Sequence, residues 1–264
     1  MGTPSTTAQV HPYQFTTSMA SLAVEAGAEV ILGSVSSIDH ADGIKSITYT
    51  DKLTNEKHTI PATEIILSAG PWTSKIFPTV PIGSLRAHSV VIEAEVAPYA
   101  IFSEISLPGK KGKTVSPEMY ARPDGTVYAC GSFLLPPFHH LFHTNHPFFL
   151  PGEGDTLAPL PATTDLVAIS PSHISSLTHW VSTISTPLRL GKVLTQQACY
   201  LPSVTNGNGP LIGPTSIKGL FIATGHTCWG IQNSCATGLL MSEFIFDGEA
   251  KSASVGSLDP RKFM

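Results

Sequence analysis

Two glycine loops and a handful of basic, aromatic and sulfur side chains are the parts of this chain that could do chemistry. Near the C-terminus the apolar run Phe221-Ile222-Ala223-Thr224 ends in Gly225-His226-Thr227-Cys228-Trp229-Gly230. Asn233–Gly238 then leads into a helix-like stretch closed by Asp247-Gly248. A strand, a glycine-lined loop and a helix start in that order let backbone amides approach a flat or anionic ligand closely. A second loop, Ala69-Gly70-Pro71-Trp72, ends the apolar run Glu64–Ser68. In α/β sheets ligands bind beyond the carboxyl ends of strands. If these two strands are neighbours, the two loops face one crevice.

Side chains elsewhere offer further chemistry. Arg86, Tyr120 and Arg122 fall in a stretch of alternating strands. An arginine there could clamp a carboxylate through paired N–H donors, and a structural role is equally open. His139, His140, His143 and His146 could present nitrogens to zinc. No cysteine accompanies them and Pro136, Pro137 and Pro147 break the segment, so a solvated loop is favoured and no metal is expected. His226 taken alone reads as a histidine bonded within a turn. Trp229 reads equally as core or as cavity wall. No Ser/His/Asp set or carboxylate pair stands out, and no catalytic residue or general base is named.

Composition bounds the class. The chain has 264 residues, 42% of them hydrophobic, enough for a core in one large or two small domains. Only 13% are charged, against about 25% in an average domain, which suggests large covered areas. A net charge of −4 gives no reason to expect nucleic acid or an anionic membrane as partner. No apolar run is long enough for a membrane span, and the polar start Met1–Val10 is unlike a signal peptide. Cys130, Cys199, Cys228 and Cys235 form no CxxC pair. They read as small core residues in a reduced, cytoplasmic setting.

The elements that must position these residues follow from periodicity. His11–Gly27 reads as a helix with Phe15, Met19, Leu22, Ala23 and Ala26 on one face. Ala28–Leu32 reads as a short strand. A meander follows through Ser34–Asp39, the turn Asp42-Gly43, and Ile44–Thr50. Glu64–Ser68 reads as a buried strand. His88–Glu95, Met119–Arg122 and Thr126–Cys130 alternate as strands, the last two joined by the turn Pro123-Asp124-Gly125. Leu166–Ile184 has a helical pattern that Pro171 must interrupt or start. Lys192–Tyr200, Leu211–Gly213 and Leu220–Ala223 complete the strands. Residues 1–80 and 200–264 look like strand–helix packing. Residues 81–199 look like an antiparallel sheet layer with a helix and an irregular insertion near 134–165. The fold class is α/β, mixed α+β.

The ordered set of motifs resembles the FAD-dependent oxidoreductases of the D-amino-acid oxidase and sarcosine oxidase type, in a fungal-type branch. The matching stretches are His11-Pro12 with its helix, Ala28–Leu32 and the meander, Ile65–Trp72 (IILSAGPW) and Tyr120–Gly131 (YARPDGTVYACG). Pro210–Pro214 (PLIGP), Leu220–Gly230 (LFIATGHTCWG) and the tail Leu258-Asp259-Pro260-Arg261 also match. The resemblance implies the remainder of a Rossmann-like FAD-binding domain, 1–80 and 200–264, interleaved with a substrate domain, 81–199. It implies FAD as cofactor and flavin contacts from Val35, Ala69, Gly70, Trp72, Gly225, His226, Trp229, Gly230 and Ile231. Val35 would present backbone to adenine.

The resemblance also implies a substrate layer with Arg86, Tyr120 and Arg122, acting on a small amine or amino acid at its C–N bond. In sarcosine-oxidase-like members a cysteine near Cys199 carries the flavin. Here a buried strand cysteine is favoured, and Cys235 is read as packing. The family begins with a GxGxxG turn that cradles pyrophosphate, and no such motif occurs in this sequence. The expectation is therefore an N-terminally truncated family member, a half that needs a protein partner, or a non-catalytic interaction protein that keeps the scaffold.

Overall fold

The computed structural model describes residues 3, 5–107, 114–131, 158–207 and 209–264. Most of the insertion expected near 134–165, including the four clustered histidines, lies outside the described residues. Among the described residues the helices are α1 (Pro12–Glu25), α2 (Thr73–Ile76), α3 (Pro171–Ile184), α4 (Thr186–Leu190) and α5 (Gly230–Phe246). The strands are β1 (Gly33–Asp39), β2 (Ser46–Asp51), β3 (Lys57–Pro61), β4 (Ile65–Leu67), β5 (Ile82–Glu93), β6 (Ala100–Phe102) and β7 (Ile105–Ser106). They continue with β8 (Thr114–Val115), β9 (Glu118–Ala121), β10 (Thr126–Cys130), β11 (Lys192–Val204), β12 (Leu211–Pro214) and β13 (Leu220–Thr224).

A mixed α/β architecture results, as the periodicity implies. β1, β2 and β3 form the antiparallel meander. Its first turn holds Gly43 at φ +92°, the left-handed region that glycine enters freely. A five-stranded antiparallel sheet runs in the order β11-β5-β10-β9-β6. The β9–β10 hairpin turns at Pro123-Asp124-Gly125, where the Asp124 carboxylate accepts from the Thr126 N–H at 3.0 Å. A third sheet, β12-β13-β4, pairs β12 and β13 antiparallel but β13 and β4 parallel.

Pro171 starts α3 rather than interrupting a longer helix. Proline at the first turn sacrifices no intrahelical bond. The apolar face of α3 (Ile174, Leu177, Val181) packs on one face of the five-stranded sheet, against Val90, Ile92, Met119, Val127 and Ala129. Each such side chain, fully buried, contributes roughly 1.5–3 kcal/mol. The opposite face of the same sheet carries residues that line a cleft. A second core joins the sheets around Leu67, Ile82, Val204, Leu220 and Ile222. A third seats α5 on β12 and β13 through Ile212, Phe221, Leu240 and Met241.

Three expectations need correction. Ala28–Leu32 forms no strand, and its side chains lie exposed, Val30 at 59% and Leu32 at 60%. An apolar run becomes a strand only where a neighbouring edge pairs with it, and among the described residues only the Leu32 carbonyl meets one, accepting from the Lys52 N–H at 2.9 Å. The α1 helix forms, but no residue on it is buried: Met19 is 47% and Leu22 57% exposed. Of β4 only Leu67 is buried, and Ile66 faces outward at 42%.

Candidate active site

The β13–β4 pairing is parallel and in register, with Leu220 beside Ile65 and Ile222 beside Leu67. Both glycine loops therefore leave the same end of the sheet. They are tied together there. The Thr224 hydroxyl donates to the Gly70 carbonyl at 3.2 Å and receives the Thr73 hydroxyl at 3.5 Å. Gly225 sits at φ +84°, and a Cβ there would lie 2.9 Å from Val204 Cγ2. Backbone strain and lack of space both restrict that position to glycine.

Beyond Gly225 the chain makes one tight turn, Thr227–Trp229, before α5 starts at Gly230. Thr227 holds φ +53°, a costly conformation for a β-branched residue. His226 is held by its neighbour in space: Nε2 lies 2.9 Å from the Thr237 hydroxyl. Among the described residues, Trp229, the N-cap residue of α5, makes no side-chain capping bond. Its first N–H groups have no intrahelical acceptor and carry the positive end of the helix dipole. Trp229, Gly230, Ile231 and Gln232 line a cleft of about 1480 Å³.

The opposite wall of that cleft is the face of the five-stranded sheet turned away from α3. Alternation along β9 puts Glu118 and Tyr120 on that face, with Arg122 just beyond the strand end. Register carries it across to Tyr128 and Cys130, which stand opposite Tyr120 and Glu118. Cys199 on β11 completes it. The Tyr120 hydroxyl donates to Glu118 Oε2 at 2.6 Å. The Arg122 guanidinium lies 5.2 Å from the centre of the Tyr128 ring. Tyr120 and Tyr128 rings are 6.1 Å apart, and Phe102 meets Tyr120 edge-on at 5.7 Å. The segment Ala8–Pro12 borders the same cleft, where Gln9 Nε2 donates to the Ala121 carbonyl.

Titration in this wall is set mostly by desolvation. Burial, then the Glu118 hydrogen bond and charge, hold the Tyr120 phenol protonated well above its ordinary range. Burial does the same to Tyr128. The Cys130 thiol is pushed up to about 12 by burial and by the Glu118 charge. Burial raises Cys199 and Cys228 as well, and lowers the His226 imidazole. The cleft thiols are therefore neutral and poor nucleophiles.

The residues singled out in the sequence divide into two groups. Trp229, Gly230, Ile231, Tyr120 and Arg122 come together around the cleft. Trp229 is 43% exposed, so it is cavity wall and not core. Ala69, Gly70, Trp72, Gly225 and His226 stand behind that wall, at the sheet end. There the Trp72 indole donates to the Pro161 carbonyl at 2.9 Å and meets the Tyr200 ring edge-on. Val35 is half-buried at a bulge in β1 and does not line the cleft. Arg86 is not brought there either. Strand alternation sends it to the α3 side of β5, where it donates to the Ala168 carbonyl at 3.2 Å.

The cysteine reading also changes. Cys199 and Cys235 are exposed as residues, though protein atoms around the Cys199 thiol still desolvate it, and Cys130 and Cys228 are half-buried, so none is a core residue. All four are free thiols. Glu118 and Tyr128 are cleft residues that the sequence did not single out, and Cys130 lines the cleft with them. The signal lay in the Pro123-Asp124-Gly125 turn, which sets Tyr128 across from Tyr120. Among the described residues no group of three His, Cys, Asp or Glu could hold a metal ion. No helix among them is long and apolar enough to cross a membrane.

The sheets and the helix start together define a mixed α/β protein with a cleft between the five-stranded sheet and the start of α5. Residues 3–244 match the family of FAD dependent oxidoreductases (DAO). The chain belongs to that family. "Putative oxidoreductase TDA3" of Saccharomyces cerevisiae is 39% identical over 297 residues, across 100% of this chain and 52% of its own length. This chain thus spans about half the length of that curated relative. The fold is shared with L-proline dehydrogenase from P. horikoshii, at TM-score 0.68 and 17% identity, over 96% of this chain and 59% of that one. It is shared equally with glycine oxidase from Geobacillus kaustophilus, at TM-score 0.66 and 16% identity, over 94% and 57%.

The family is FAD-dependent, and the cleft suits the ring end of that cofactor. The uncapped α5 N-terminus offers N–H groups and positive potential to an anionic edge. Trp229 offers an exposed aromatic face.

Proposed function

We propose that this chain supplies the substrate wall and the ring-side loop of a flavoenzyme that oxidises the C–N bond of a small amine or amino acid. One observation carries the reading: Arg122 and the uncapped start of α5 border the same cleft. Bound FAD would supply the hydride acceptor. The chain's own residues do the rest. Arg122 holds a substrate carboxylate through paired donors. Gly230 and Ile231 point backbone N–H groups at the anionic edge of the ring, and Trp229 walls it from water. Ala69–Trp72, Gly225 and His226 brace that loop from behind, and Val35 stands farther off on the adenine side. Names of fold relatives that act on proline and glycine agree with an amino-acid substrate.

In this reading residues 1–80 and 200–264 form the cofactor side and 81–199 the substrate side. The four free thiols agree with a cytoplasmic setting. A second reading, a scaffold that binds a protein partner instead of turning over substrate, draws on the apolar exposure of α1 and of Val30–Leu32. FAD titration separates the two. Quenching of flavin fluorescence on adding the chain, weakened in Trp229→Ala, supports the enzyme. A chain that quenches nothing at any FAD concentration contradicts it.

A further inference from the structure

Glu118 is an unmatched charge in the cleft wall. Among the described residues no lysine, arginine or histidine lies within ion-pair distance of it. Both of its hydrogen bonds, from Tyr120 and from Cys130, fall on Oε2, so Oε1 has no donor among the described residues. Its charge is felt in the cleft, since it helps to raise both the Cys130 thiol beside it and the Cys228 thiol on the α5 side. Glu104 and Asp124 also line this space, against one arginine among the described residues, Arg122.

The arrangement is polar along one direction. Glu118 stands on β9 and Arg122 just beyond its end, four residues on and roughly 13 Å away along the backbone by strand rise. Tyr120 and Tyr128 fill the interval with two rings. The Arg122 guanidinium is drawn inward over Tyr128, and the Tyr120 hydroxyl fixes the Glu118 carboxylate at the far end. A ligand lying along this row meets a cation stacked on Tyr128, the Tyr120 ring and an anion. That sequence complements a molecule with a carboxylate at one end, a methylene chain in the middle and a second cationic nitrogen at the other.

We propose that Glu118 is a specificity residue and that the substrate class is a basic amino acid, one carrying a distal ammonium or guanidinium besides the amine that reacts. This rests on the amino-acid reading above. A half-buried carboxylate with an open oxygen binds an ammonium through a charge-assisted hydrogen bond. Matching that nitrogen is worth about tenfold in affinity, and a neutral methyl in its place leaves the carboxylate unpaired.

Calorimetric titration of the full chain with FAD present tests this. The ligands are lysine and norleucine, in both enantiomers, which differ only by the distal ammonium. Tighter binding of lysine by about tenfold, reduced to near parity in Glu118→Gln, is the expected result. Glutamine keeps the acceptor for Tyr120, so a folding defect is not the cause, and an unshifted melting temperature confirms that. Norleucine binding as well as lysine, or a lysine preference that survives Glu118→Gln, overturns the assignment and leaves the amino-acid reading standing. If neither ligand binds, nor any other amino acid, the underlying reading falls and this one with it.

Discussion

His226 Nε2 and the Thr237 hydroxyl meet at 2.9 Å and pin the loop after β13 to the third turn of α5. The loop and the helix start then move as one unit. Trp229, Gly230 and Ile231 line the cleft from that unit.

Thr237→Val keeps the shape of the side chain and removes the hydrogen bond. Thr237 is buried, so the His226 nitrogen loses a partner that water replaces poorly. A cost of about 1–2 kcal/mol is expected, a fall in Tm of about 2–8 °C by calorimetry. Affinity for FAD falls with it, because the α5 start loosens. A Thr237→Val chain with unaltered Tm and FAD affinity would show that the pair positions nothing.

The same histidine gives the fold a pH dependence. Burial holds the folded His226 below its ordinary value of about 6.5. The unfolded chain therefore takes up a proton that the folded chain refuses. The stabilising contribution is complete above about pH 6.5 and is lost as pH falls through the lowered folded value. Melting temperature should decline over that window, and His226→Gln should flatten the decline there.

Arg122→Met should separate carboxylate recognition from stability. The loss of the contact with Tyr128 costs only about 0.5–1 kcal/mol. A carboxylate-bearing ligand should bind about tenfold or more weakly, while its decarboxylated amine is little affected. Equal losses for both ligands, measured side by side, would remove Arg122 from substrate binding.

How much of this was legible in the sequence depends on the range of the contacts involved. The Met119–Arg122 and Thr126–Cys130 hairpin is written locally, in alternation and a Pro-Asp-Gly turn. So is the apolar face of α3, with Ile174, Leu177 and Val181. The parallel β4–β13 pairing was open to inference only as a condition, because Ile65 and Leu220 are far apart in the chain. The face taken by Arg86 depends on how β5 pairs with both β10 and β11, which no local pattern fixes. Glu118 gave no signal at all: an exposed-looking glutamate at the start of a strand becomes a cleft residue only once Tyr120 is known to face inward. Ala28–Leu32 failed for the opposite reason, since an apolar run specifies a strand only when an edge is there to receive it.

Leu177→Ala tests the layer that holds the substrate wall flat. Leu177 is 1% exposed between α3 and the sheet. Its truncation should cost about 2.7–5 kcal/mol in urea unfolding. A change under about 1 kcal/mol would mean that α3 does not support the sheet as its packing implies.

In the proposed enzyme this cleft brings an amine and a flavin together. Anaerobic mixing of the FAD-loaded chain with a panel of amino acids and amines, followed by absorbance at roughly 450 nm, tests it most directly. Bleaching by at least one carboxylate-bearing amine, slowed in Arg122→Met, is the expected result. A chain that holds FAD yet is bleached by none of them, while dithionite reduces it fully, would contradict the account.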